Sequence, residues 1–115
     1  MRAALAAMLA LVAGAALFVA GAAWAEGEEP TFQIVFKGGA IAPLRLEVPA
    51  KTRFRLQIRN EDDAPAEFES VELHKEKVLA PHSETVMVIR TLDAGEYSFF
   101  DDFHPNAAPA VLVAK

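Results

Sequence analysis

Thr52-Arg53-Phe54-Arg55-Leu56-Gln57-Ile58-Arg59-Asn60 alternates apolar Phe54, Leu56 and Ile58 with Arg53, Arg55, Gln57 and Arg59. A period of two sends the first set to one face and the second to the other, the pattern of a half-buried strand. The arginine row reads as a solvated face that balances an acidic chain, not as a nucleic-acid surface. Upstream, Thr31 to Lys37 repeats the pattern with Phe32, Ile34 and Phe36, and Gly38-Gly39 is a turn. Ile41 to Val48 reads as a second strand, in which Pro43 demands an edge or a bend because it cannot donate to a ladder. Pro49-Ala50-Lys51 turns the chain into the opening stretch.

Downstream, Asn60 to Pro65 is a turn-rich loop and Ala66 to Ser70 a short extended segment. Glu72 to Lys77 fits a helical turn or an irregular connection equally well. Pro81-His82-Ser83 is a turn before a strand over Glu84 to Arg90, covered on both faces, with Val86 and Val88 in the core. Asp93-Ala94-Gly95 leads into an aromatic strand with Tyr97 and Phe99 on one face and Ser98 and Phe100 on the other. Ala110 to Val113 closes the chain. Short strands with turn signals at regular spacing, and almost no helical period, predict an all-β antiparallel sandwich or barrel. Its core is Phe32, Phe36, Phe54, Leu56, Ile58, Val86, Val88, Tyr97 and Phe99.

The first 25 residues stand apart. Arg2 precedes an uncharged apolar run from Ala3 to Ala20, and Ala23-Trp24-Ala25 gives a small-x-small site before Glu26. That pattern predicts a secretory signal peptide, hence export to the periplasm. The run approaches the length of about 20 residues that spans a bilayer, but it is alanine-rich and no basic stop-transfer cluster follows. Glu26 to Pro30 then forms a leader, and residues 31–115 a single domain. Past residue 25 there are 10 basic residues against 16 acidic ones, so the formal charge is −6. Nucleic acid and anionic lipid are poor partners for such a surface. Cysteine is absent, which excludes thiolate catalysis, zinc-thiolate sites and iron–sulfur clusters.

Carboxylates and histidines remain as candidates for chemistry. Glu67 and Glu69 flank Phe68, so on a strand both point away from it. Gly95-Glu96-Tyr97-Ser98-Phe99-Phe100-Asp101-Asp102-Phe103-His104-Pro105 runs from the aromatic strand into a loop offering Asp101, Asp102 and His104. Carboxylate oxygens with one imidazole suit iron, manganese, zinc or copper(II), and match copper(I) poorly. The competing reading is a solvated acidic loop and charges that guard a sheet edge. His82 lies in a turn, His74 sits among charges, and Met87 reads as core. Ser70, Ser83 and Ser98 lack a glycine-flanked elbow, so the chain does not read as a hydrolase.

Asn60 followed by Pro65-Ala66-Glu67-Phe68-Glu69, the hinge at residues 81–83, Leu92-x-x-Gly95-x-Tyr97 and Val111-Leu112-Val113 together resemble a known family. It is the cupredoxin-like domains of bacterial periplasmic iron transport, of the EfeO type and FtrB-like type. The resemblance implies a small Greek-key β-sandwich with a metal site at one end. In it, Pro65 to Phe68 fall where blue-copper proteins place their first histidine, with Ala66 and Glu67 standing there. Asp101 falls where they place cysteine, His104 lies in the same loop, and no methionine follows. The implied site is therefore Glu67, Asp101 and His104, with Glu69 and Asp102 as additional or supporting groups, holding iron or copper(II) and not a type 1 blue copper centre. The implied role is iron uptake beside an inner-membrane permease or another periplasmic transport subunit, through binding, delivery or oxidation of ferrous iron. The alternatives are a copper-handling protein and a sandwich interaction module that has lost its metal.

Overall fold

The computed structural model describes residues 29–115, so the signal peptide read at 1–25 and the start of the leader lie outside the described residues. Among the described residues nine strands follow one another: β1 (Thr31–Lys37), β2 (Ala40–Ala42), β3 (Arg45–Val48), β4 (Phe54–Asn60), β5 (Ala66–Ser70), β6 (Lys75–Leu79), β7 (Ser83–Ile89), β8 (Gly95–Asp101) and β9 (Ala110–Ala114). They form two sheets, ordered β2-β1-β4-β7 and β3-β9-β8-β5-β6. Among the described residues no helix is long and apolar enough to cross a membrane.

β4 behaves as its alternation requires. Phe54, Leu56 and Ile58 are fully buried while Arg53, Arg55 and Arg59 are exposed. Facing them from the other sheet are Phe68, Phe99 and Leu112, also fully buried. Phe68 stacks on Phe99 with ring centroids 5.0 Å apart, and Phe32 meets Phe54 edge-on at 5.7 Å, both favourable arrangements for aromatic pairs.

Four expectations need correction. The sheets are mixed: β1 runs parallel to β4, and β3 parallel to β9. The expected strand over Ile41 to Val48 breaks at Pro43, whose peptide bond with Ala42 is cis. Its two pieces join different sheets, β2 beside β1 and β3 beside β9. The undecided stretch at Glu72 to Lys77 holds the turn into β6, which pairs antiparallel with β5. Last, β7 covers the core with the other side chains. Its register sets Ile89 opposite Phe54 and Met87 opposite Leu56, so Val86 and Val88 face outward and Val86 is 44% exposed.

Buried polar side chains hold the loops that matter below. The Asn60 amide donates to the carbonyls of Ala64 at 2.9 Å, Ala80 at 3.2 Å and Leu79 at 3.3 Å, and its oxygen accepts the Asp62 N–H at 3.0 Å. That ties loop 60–65 to the end of β6. Ser70 donates to the Ser98 carbonyl at 2.7 Å and accepts the Leu73 N–H at 3.1 Å, which fixes the β5–β6 turn against β8.

Candidate functional site

β5 and β8 meet through two register pairs, Phe68 with Asp101 and Glu69 with Phe100. Side chains opposite one another in a sheet share a face. Phe68 and Asp101 therefore point into the sandwich, where both are buried, and Glu67 and Glu69 point out. The five sequence candidates divide into two groups on opposite sides of the sheet. Among the described residues, Glu67, Asp101 and His104 do not come together as one ligand set.

The outward group gains a member from β6. Its register places Glu76 directly opposite Glu69, with Val78 opposite Glu67. One carboxylate oxygen from each of Glu67, Glu69 and Glu76 lies within 4.8 Å of the others. Asp102 follows β8 and donates its N–H to the Glu67 carbonyl at 2.9 Å, which brings a fourth acid alongside. Partial loss of water raises the Glu67 carboxyl above its ordinary value, and the charges of Glu76, Asp102 and Glu69 add to the effect. The Glu69 carboxyl is raised too, by the same loss of water and then by Glu76 and Asp102.

A raised carboxyl takes up its proton in the folded state before it does in the unfolded chain, so stability increases as pH falls through that window. The gain is complete near the ordinary carboxylate value, where the unfolded chain protonates as well. Asp62, whose carboxyl is lowered, acts in the opposite sense and at lower pH. Thermal scans between about pH 7 and pH 5 are expected to show the melting temperature of the wild type rising toward acid. In Glu67→Gln that rise flattens, with a variant a few degrees more stable than wild type at neutral pH. An identical slope in both proteins would mean that folding does not raise the Glu67 carboxyl.

The inward group is a closed hydrogen-bonded unit. Asp101 Oδ1 accepts the N–H groups of Glu67 and Phe103, each at 3.0 Å, and Oδ2 faces His104 Nδ1 at 2.8 Å. Both oxygens are committed to protein donors. An ionised carboxylate only accepts, so the proton of a neutral His104 sits on Nδ1 and leaves Nε2 with its lone pair. The ring is half-exposed and lies against Gly39, where a Cβ would come within 3.2 Å of its Cδ2. Gly39 also has φ of +74°, a conformation that favours glycine. Asp62 is fixed nearby by the N–H groups of Gly38 at 2.7 Å and Gly39 at 3.4 Å. The Gly38 N–H is the main reason its carboxyl is lowered, and His104 contributes. Gly38, Gly39, Phe103, His104 and Pro105 line an open depression of about 440 Å³ at this rim.

Sequence reading missed Glu76 and Asp62. Glu76 carries no signal of its own, because β6 shows no alternation, and only the observed pairing of β5 with β6 sets it across from Glu69. Nothing in the sequence marks Asp62 out among its acidic neighbours. His74, at φ +56° in the β5–β6 turn, lines an open groove of about 300 Å³ with Glu69 and Glu76. His82 lies elsewhere and pairs with exposed Asp63 at 2.6 Å.

The fold matches several solved structures of low sequence identity. The purple cupredoxin of Nitrosopumilus maritimus aligns with a TM-score of 0.56 at 20% identity, covering 72% of this chain and 98% of that one. Auracyanin A of Chloroflexus aurantiacus, a blue copper protein, gives 0.64 at 13% identity over 76% and 100% of the two chains. Reduced auracyanin of Roseiflexus castenholzii gives 0.63 at 13% over 77% and 99%. An uncharacterized protein of Rickettsia prowazekii is 38% identical over 83 residues, which are 72% of this chain and 66% of that protein. The profile of the cupredoxin-like domain matches residues 3–114. Two sheets in this arrangement, with a match over almost the whole length, make the chain a member of the cupredoxin-like domain family.

Proposed function

We propose that this is an exported, periplasmic cupredoxin-like protein that binds a transition metal through carboxylate oxygens and serves iron uptake, passing iron to an inner-membrane permease. The observation that carries the reading is the convergence of Glu67, Glu69 and Glu76 within 4.8 Å, with Asp102 beside them. Three carboxylates held close, two of them half-buried and Glu76 exposed, repel one another, and a bound cation removes that repulsion. An all-oxygen set suits a hard ion, which favours ferric iron over copper(I).

The residues do not fit a type 1 copper centre. The sequence has no cysteine, Asp101 has both oxygens bonded, and His104 turns Nδ1 toward it. Thiolate-based electron transfer has no place in the proposal. A second reading, copper(II) handling, draws on two observations: the likeness to copper proteins such as auracyanin A, and His104 Nε2 beside the rim depression.

Equilibrium dialysis against iron(III) citrate and copper(II), alone and in competition, separates the two. Iron is expected to bind the wild type, and Glu67→Gln/Glu69→Gln/Glu76→Gln, which removes all three anionic oxygen ligands, is expected to lose that binding. His104→Ala is expected to leave iron affinity unchanged. Copper binding that depends on His104, with no iron retained by the wild type, would replace the iron reading. Absence of binding by either metal would leave the interaction module.

A further inference from the structure

The two sheets have four edges, and three of them are blunted. β2 is three residues long, and β3 spans four residues between Pro43 and Pro49 with Arg45 and Glu47 exposed. β6 carries Lys75, Glu76 and Lys77 in succession. Short length, proline and charge are the devices that keep sheet edges from pairing with other chains. β7 has none of them between Thr85 and Ile89, a run without charge, proline or glycine. Its inner side pairs with β4 over seven residues, and among the described residues no strand lies along its outer side.

We propose that β7 is a self-association edge, on which a second copy of this chain pairs its own β7 antiparallel, centred on Val86. Two four-stranded sheets then become one continuous eight-stranded sheet with two-fold symmetry, an isologous contact. Charge along the strand favours this occupant. Glu84, Val86, Val88 and Arg90 share the outward face, with Glu84 at one end and Arg90 just beyond the other. Arg90 has no ion pair among the described residues. Antiparallel pairing about Val86 sets each Glu84 diagonal to Arg90 of the other copy, about 7–8 Å between backbones and within reach of both side chains. The centre brings Val86 against Val86, which removes an exposed apolar side chain from water twice. The acidic face on β5 and β6 and the rim around His104 belong to other parts of the fold, so both stay open in the pair.

Sedimentation equilibrium of the mature protein from micromolar to millimolar concentration tests the proposal. The wild type is expected to pass from monomer to dimer and no further. Val86→Lys sets like charges across the two-fold centre and is expected to weaken dimerisation about tenfold or more. Val78→Lys, on the guarded β6 edge, is expected to change nothing, and circular dichroism establishes that both variants are folded. Glu84→Arg is expected to weaken the dimer, and Glu84→Arg with Arg90→Glu to restore it. A wild type that stays monomeric throughout, a dimer indifferent to Val86→Lys, or a charge swap that fails to restore pairing would each overturn it.

Discussion

Phe68→Ala is expected to cost about 3–5 kcal/mol, the range for removing a fully buried phenyl ring. Phe68 has no exposed surface and stacks on Phe99 across the β5–β8 contact. A domain of this size holds a total of only about 5–15 kcal/mol, so the variant sits near the edge of folding at ambient temperature. The effect reaches beyond the core because Phe68 is the inward anchor between Glu67 and Glu69. With the ring gone, only the small Ala66 and Ser70 side chains seat the inward face of β5, and the outward carboxylates are held less firmly. Urea unfolding followed by circular dichroism measures the cost. A loss below about 1 kcal/mol, typical of a site that collapses without harm, would mean that Phe68 does not seat the strand as described.

Asp101→Ala is expected to be the next largest loss, about 3 kcal/mol. The carboxylate accepts three hydrogen bonds in a buried position, from Glu67 N–H, Phe103 N–H and His104 Nδ1. Truncation leaves those donors without a partner, and each buried orphan carries its own desolvation penalty. Asp101→Asn separates the parts. Its amide oxygen can still serve the two backbone donors, while its NH₂ meets His104 and forces the ring to accept at Nδ1 and carry its proton on Nε2. The expected order is therefore wild type, then Asn, then Ala, read from urea midpoints. The ¹⁵N shifts of His104 are expected to report the tautomer change in Asn. Equal stability of all three would show that the carboxylate does not hold the loop.

How much of this was legible depended on whether one strand's pattern sufficed. β4 announces itself, because Phe54, Leu56 and Ile58 are far more apolar than the arginines between them. β7 does not, since Met87 and Ile89 are about as apolar as Val86 and Val88, and only its register with β4 decides which set goes inside. β6 gave no strand signal because four of its five residues are exposed, leaving no alternation to read. At the site, the phase of β8 held the answer for Asp101. Tyr97 and Phe99 share one face of the alternation, and Asp101 continues that face inward. The pairing of β5 with β8 and β6 joins residues far apart in sequence, and that pairing gathers Glu67, Glu69 and Glu76.

The proposed carboxylate site is tested most directly by NMR during titration with gallium(III), a diamagnetic stand-in for ferric iron. With side-chain carboxyl and imidazole resonances assigned, Glu67, Glu69, Glu76 and Asp102 are expected to shift together and saturate at one equivalent, while His104 stays still. Shifts confined to His104 and its neighbours in the rim depression, with the three glutamates unmoved, would contradict it.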